Sequence, residues 1–137
     1  MKNIFVLHTA DPTRLMRMFD HGRDELELSL QCCEWQYGVH VNITSNEKVK
    51  EGDWCLDKIT LKVFKYGSGL ANGQTNLPNA TLKIVLTTDS DLIIDGVQEI
   101  DNIFLEWFID NPTCEFVKVT KLDYLSNNQY RIYDVPF

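Results

Sequence analysis

Apolar and polar residues alternate along much of this chain: Leu26, Leu28 and Leu30; Val39, Val41 and Ile43; Ile59, Leu61 and Val63. Successive side chains of a strand point to opposite faces, so each triplet predicts a strand with one buried face. The segment TLKIVLTT from Thr81 is rich in β-forming residues. Near the C-terminus, CEFVKV from Cys114 and YRIYDV from Tyr130 predict a closing hairpin across a polar loop with Ser126, Asn127 and Asn128. Glu51, Gly52 and Asp53 form a turn that hands the chain to Trp54, a core or half-buried residue at a strand start. The 67–79 stretch, with three glycines, three asparagines and Pro78, predicts a loop between strands.

The period changes between Gln98 and Asp110. At about 100° per residue Ile100, Ile103, Phe104, Trp107 and Phe108 share one face, which predicts an amphipathic helix stopped by Pro112. Asp95 with Gln98, or Asp101, is placed to cap its start. Leu105 and Ile109 fall outside that face, so the apolar arc is wide: either a curved sheet wraps the helix or these two residues meet a partner. A second, short helix is predicted from Asp11 to Gly22, with Pro12 in its first turn and Leu15, Met18 and Phe19 buried. Together the elements predict a single α+β domain over residues 1–137. It has a curved, mainly antiparallel sheet, or a partly open small barrel, with one main amphipathic helix packed on it.

Charge then separates one region from the rest. Between Ile84 and Val117 there are eight carboxylates (Asp89, Asp91, Asp95, Glu99, Asp101, Glu106, Asp110, Glu115) and no Lys or Arg. The whole chain has 20 acids and 13 bases, so the remaining residues supply 12 acids against those 13 bases and nearly balance. A net charge of −7 disfavours a protein whose main work is neutralising nucleic-acid phosphates, and the local acidity favours basic or cationic partners. The four consecutive apolar residues Ile4, Phe5, Val6 and Leu7 are too few for a signal-peptide core, and no later run reaches membrane-spanning length, so an intracellular protein without membrane contact is expected. Cys32, Cys33, Cys55 and Cys114 match no zinc spacing and read as reduced structural thiols.

No catalytic signature emerges. Asp89, Asp91 and Asp95 offer oxygens to a hard cation, yet an EF-hand loop counted from Asp89 would need Gly and Glu where Ile94 and Ile100 stand. A strand-end turn feeding a helix, with carboxylates near its positive N-terminus, fits better. GSGLANG from Gly67 lacks the Gly-Lys-Ser/Thr of a phosphate loop. A nucleophilic Cys or Ser would have to pair with His8, His21 or His40, and sequence alone leaves His40 with Cys32 or Cys33 open. KITLKVFKY from Lys58 sets Lys58, Lys62 and Lys65 beside Phe64 and Tyr66, the best local case for stacking bases, against which the acidic balance weighs. We therefore expect no metal, no cofactor and no catalytic residue.

Three segments, MKNIFVLHTADPTRL, ITSNEKVKEGDWCLD from Ile43 and IVLTTDSDLIIDGVQEIDNIFLEWFIDNPTCEFVKV from Ile84, cover roughly half of the chain. Together they resemble a group of small proteins of unknown function from phages and phage-like regions of Bacteroidetes-type bacteria. The resemblance implies a setting, the bacterial host cytoplasm or the virion, and supplies no catalytic residue. The expectation is a non-enzymatic phage accessory protein that binds a protein partner through an acidic and apolar surface made of Asp89, Asp91, Glu99, Leu105, Glu106, Ile109 and Asp110. An inhibitor of a host defence protein is its concrete form. The alternatives are a virion or assembly component with homo-oligomer contacts, and a small-molecule, nucleotide-like binder or enzyme.

Overall fold

A computed structural model describes residues 2–20, 23–33, 38–67, 80–122 and 129–133. The main sheet has the order β1 (Ile4–His8), β4 (Val39–Ser45), β7 (Thr81–Thr87), β5 (Trp54–Asp57), β6 (Lys62–Lys65), and the two-residue β8 (Gln98–Glu99) pairs in parallel with the end of β7. All its other pairings are antiparallel. Between β4 and β7 the register jumps from Ile43–Leu86 to Thr44–Ile84, leaving Val85 as a bulge. A bulge bends its strand and increases local twist, and here the sheet curls into a half barrel. The expected small α+β fold is what the chain adopts.

Both faces of the sheet are covered. On one, Ile4, Val39, Val41, Ile43 and Val85 pack with Phe104, Leu105 and Phe108 of helix α2 (Asn102–Asp110). Leu15 and Leu26 of a ribbon formed by β2 (Thr13–Asp20) and β3 (Arg23–Cys33) join the same core. On the other, Phe5, Leu56 and Ile84 pack with Leu92 of the short helix α1 (Ser90–Ile94). β4 is therefore buried on both sides, and its polar residues His40, Asn42 and Thr44 are as enclosed as its valines. Asn42 and the Thr44 backbone are partnered, the Thr87 hydroxyl donating to Asn42 Oδ1 (2.6 Å) and Thr44 N–H to the Asn3 carbonyl (2.9 Å), whereas His40 Nε2 is buried without a hydrogen-bond partner among the described residues. A bridge from Met16 to Gly38 ties the ribbon to the head of β4. A Cβ at position 38 would sit 2.7 Å from the Thr13 hydroxyl oxygen, so this approach requires glycine.

Three expectations are corrected here. The segment expected as a helix after Asp11 is strand β2, with Leu15 opposite Leu28 and Arg17 opposite Leu26. Leu15 is buried as expected, while the side chains of Met18 and Phe19 lie outside the described residues. Ile59 and Leu61 do not continue a strand; they lie in the turn between β5 and β6. The main helix begins at Asn102, because Gln98 and Glu99 are taken by β7 and Ile100 N–H donates to the Thr87 carbonyl (3.0 Å). Asp101 is its cap, accepting from Ile103 N–H at 2.9 Å. Asn111 closes its other end, just before Pro112.

The closing hairpin is present as β9 (Lys118–Leu122) with β10 (Gln129–Tyr133), its first strand starting at Lys118 and not at Cys114 as expected; its connecting loop lies outside the described residues. Two side-chain amides fasten it to the sheet. Asn3 donates through Nδ2 to the Val117 carbonyl (2.8 Å) and accepts Val117 N–H at Oδ1 (2.9 Å). Gln98 does the same to Tyr130, donating to its carbonyl (3.0 Å) and accepting its N–H (2.7 Å). Each amide reproduces the two hydrogen bonds that a neighbouring strand would make. Among the described residues no helix is long and apolar enough to cross a membrane.

Candidate functional site

The acidic run divides by local role. Asp89 caps α1, its Oδ1 accepting Asp91 N–H at 3.0 Å, and Asp91 lies exposed in that helix's first turn. Asp95 ends α1 and accepts from Lys65 Nζ and Trp54 Nε1, both at 2.8 Å, and these two donors hold its carboxyl below the usual carboxylate range. Asp101 caps α2. Glu99, Glu106 and Asp110 remain exposed, and among the described residues no cation lies within ion-pair distance of them.

The apolar members of the expected surface are not where the sequence reading put them. Leu105 is 4% exposed, packed in the core shared by sheet and ribbon, and reaches the surface only in the lining of a small pocket between β2, α1 and α2. Ile109 is half-buried against the same core. Ile103, expected inside, is 54% exposed instead. Since Ile103, Glu106 and Asp110 stand at i, i+3 and i+7, they line one outward stripe of α2. The signal that finds this stripe is the cap: phasing the helix from Asp101, with Ile100 in extended backbone, turns Leu105 inward and Ile103 outward.

A cleft of about 430 Å³ opens between the end of β4 and the closing hairpin, lined by Asn3, Ser45, Glu47, Phe116, Lys121 and Tyr130 among others. Glu47 is its chemical centre. Its Oε2 accepts from the Tyr130 hydroxyl and from Ser45 Oγ (3.0 Å), and Lys121 Nζ lies 3.8 Å from Oε1. Burial is the largest single influence and opposes the charge. The hydrogen bonds from Tyr130 and Ser45, with Lys83 and Lys121, outweigh it and hold the carboxyl below the usual range. The groups that point inward thus already satisfy one another, which makes the cleft a tie between sheet and hairpin. A depressed carboxyl pKa stabilises the fold above its unfolded value, near pH 4.3, and that stabilisation is lost as pH falls through the lower folded value. Chemical denaturation between pH 7 and 3 should therefore show an acid-dependent loss that Glu47→Gln flattens and that Tyr130→Phe, by raising the folded pKa toward the unfolded value, shrinks. Identical pH profiles for all three proteins would refute the tie.

Elsewhere the titratable groups fit structural roles. Burial, with Asp53 nearby, pushes the Cys55 thiol up to about 12, far from a thiolate nucleophile. The side chains of Cys32 and Cys33 and all of His21 lie outside the described residues, and His8 is exposed at the end of β1. His40 is buried, with Nδ1 3.4 Å from Thr88 Oγ1 and Nε2 4.0 Å from Asp89 Oδ2. Thr88 Oγ1 in turn accepts Val41 N–H (2.9 Å), so this cluster closes the end of the sheet over α1. Among the described residues no three of His, Cys, Asp and Glu converge to hold a metal ion. Of the lysine-aromatic strand, Phe64 is buried and Lys65 is engaged with Asp95 and the Trp54 ring, which leaves Tyr66 as its exposed aromatic. Comparison with protein-family models, curated proteins and solved structures gives no match to this chain.

Proposed function

We propose that this chain is a non-enzymatic binding protein whose outward α2 stripe, Ile103, Glu106 and Asp110, with the exposed Glu99 and Asp91 adding charge, engages a cationic surface on a macromolecular partner. The observation that carries the reading is an exposed isoleucine in line with carboxylates that no described cation neutralises. Apolar contact would supply affinity, and the uncompensated charge would steer and select a basic partner. The resemblance to phage proteins gives this a concrete form: an accessory protein acting in the host cytoplasm, inhibiting a nucleic-acid-handling defence protein with carboxylates in place of phosphates. With the full chain as bait in extract from infected host cells, Glu106→Lys/Asp110→Lys should weaken capture of the partner about tenfold or more. Undiminished capture by this variant would refute the assignment.

The assembly reading has an observation of its own, since two large aliphatic side chains stand in water at the turn between β5 and β6. For a small-molecule site the cleft at Glu47 offers volume, but its inward polar groups are already spent on one another.

A further inference from the structure

The turn over residues 57–62 is built to hold apolar side chains outward. Asp57 is fully buried, its Oδ1 accepting N–H groups from Ile59 (2.9 Å) and Thr60 (3.2 Å), while its carbonyl accepts from Leu61 N–H (2.7 Å). Lys58 N–H is tied to the Ala80 carbonyl at 2.9 Å. Within this rigid frame Ile59 is 56% and Leu61 49% exposed. Leu61 also has φ +57°, and among the described residues no other non-glycine has positive φ. Glycine would adopt that backbone freely, whereas leucine meets a steric cost there and exposes apolar surface as well. The sequence thus forgoes local stability twice at one residue, a pattern that points to a function of the exposed tip. Lys58 and Lys62 flank it, both exposed.

A complementary hollow lies elsewhere on the same chain. Leu15, Ile93, Ile100 and Leu105 line a pocket of about 140 Å³ between β2, α1 and α2, with Ser90 and Glu99 also at its wall. Thr13, Arg14 and Thr88 complete its partly polar wall, and its volume is roughly that of a cavity that accepts benzene, room for one Leu or Ile side chain. Glu99 is followed by Glu106 on α2 and preceded by Asp91 on α1, all three exposed. One cation lines the pocket, Arg14, whose guanidinium is held by Asn102 Oδ1 (2.9 Å) and the Ser29 carbonyl (3.0 Å).

We propose that the 57–62 tip docks on a second copy of this chain, Leu61 entering the pocket beside α2 with Lys58 and Lys62 against Glu99 and the carboxylates near it in sequence. A basic knob with an apolar tip and a hollow with exposed Glu99 at its wall stand on one chain, and this opposite charge favours a second copy as the occupant. Because the two patches differ, the contact is heterologous. The inference rests on reading the carboxylates around α2 as a docking surface for cations.

Sedimentation velocity of the full chain over a wide concentration range, at low and high salt, tests it. The wild-type protein should associate as concentration rises, and less so at high salt. Leu61→Gly relieves the strained backbone, so this variant should stay folded with an unchanged or higher melting temperature yet associate at least about tenfold more weakly. Lys58→Glu/Lys62→Glu and Glu99→Lys/Glu106→Lys should each be monomeric alone and associate when mixed. A monomeric wild type, undiminished association of Leu61→Gly, or a mixture that stays monomeric would each overturn the proposal. If the wild type is monomeric while Glu106→Lys/Asp110→Lys still loses the captured host protein, the self-docking inference falls and the α2 reading stands. A host protein captured by the wild type and lost from Leu61→Gly would assign the tip to a foreign partner and overturn the second-copy contact.

Discussion

Replacing Phe104 with Ala should lower the stability of this protein by about 3 to 5 kcal/mol, the range for truncating a buried aromatic. Phe104 is 1% exposed and stacks on Phe108 with ring centres 5.7 Å apart, while Trp107 tilts against it at 5.9 Å. It stands where α2, the main sheet and the β2–β3 ribbon meet, so the void left by truncation is walled by three elements that cannot all close on it. Domains of this kind have about 5 to 15 kcal/mol in total, so much of the margin goes with one side chain. A domain of this length should lose roughly 10 to 20 °C in melting temperature. Phe104→Leu fills most of the volume and should recover more than half of the loss. If urea denaturation places Phe104→Ala within about 1 kcal/mol of the wild type, Phe104 is not central to this core.

What the sequence disclosed about this core follows from which interactions are local. Alternation located β4 and the closing hairpin, because an alternating strand shows its period whatever it pairs with. It failed at β2, where Leu15, Met18 and Phe19 also satisfy a helical spacing; pairing with β3 decided between the two periods, and that pairing is a tertiary fact. At Ile59 and Leu61 the alternation was real but overruled by Asp57, whose side chain captures the next N–H groups and bends the chain. The α2 side was half legible. Glu99, Glu106 and Asp110 were named and are exposed, whereas the exchange of Leu105 for Ile103 turned on a helix start displaced by the two residues of β8. The two amide clasps had no signal at all, since a polar residue near a terminus predicts solvent rather than a partner 114 positions away.

That distance makes Asn3 the second position where a single change should be costly. Its amide satisfies three backbone groups, the Val117 N–H and carbonyl and the Thr44 carbonyl (3.3 Å), and the residue is buried. Asn3→Ala takes the partner from those groups at a buried position beside the cleft, where water reaches them only in part. At roughly 1 to 3 kcal/mol for a buried unsatisfied group, and with partial relaxation, a loss of about 3 kcal/mol is expected. Asn3→Asp separates hydrogen bonding from simple truncation. A carboxylate keeps the acceptor for Val117 N–H but turns an oxygen, instead of the Nδ2 donor, toward the Val117 and Thr44 carbonyls, so at neutral pH it should be at least as harmful as Ala. Protonation restores one donor. The deficit of Asn3→Asp relative to Asn3→Ala should therefore shrink as pH falls below the carboxyl's pKa, which its buried, carbonyl-facing position raises. Hydrogen exchange locates the damage: amides of β9 and β10 should lose protection before those of β4 and β7, because two of the three amide bonds go to Val117 at the hairpin's entry. Uniform loss of protection across both, or an Asn3→Asp variant as stable as the wild type at pH 7, would show that the Asn3 amide is not what holds the hairpin.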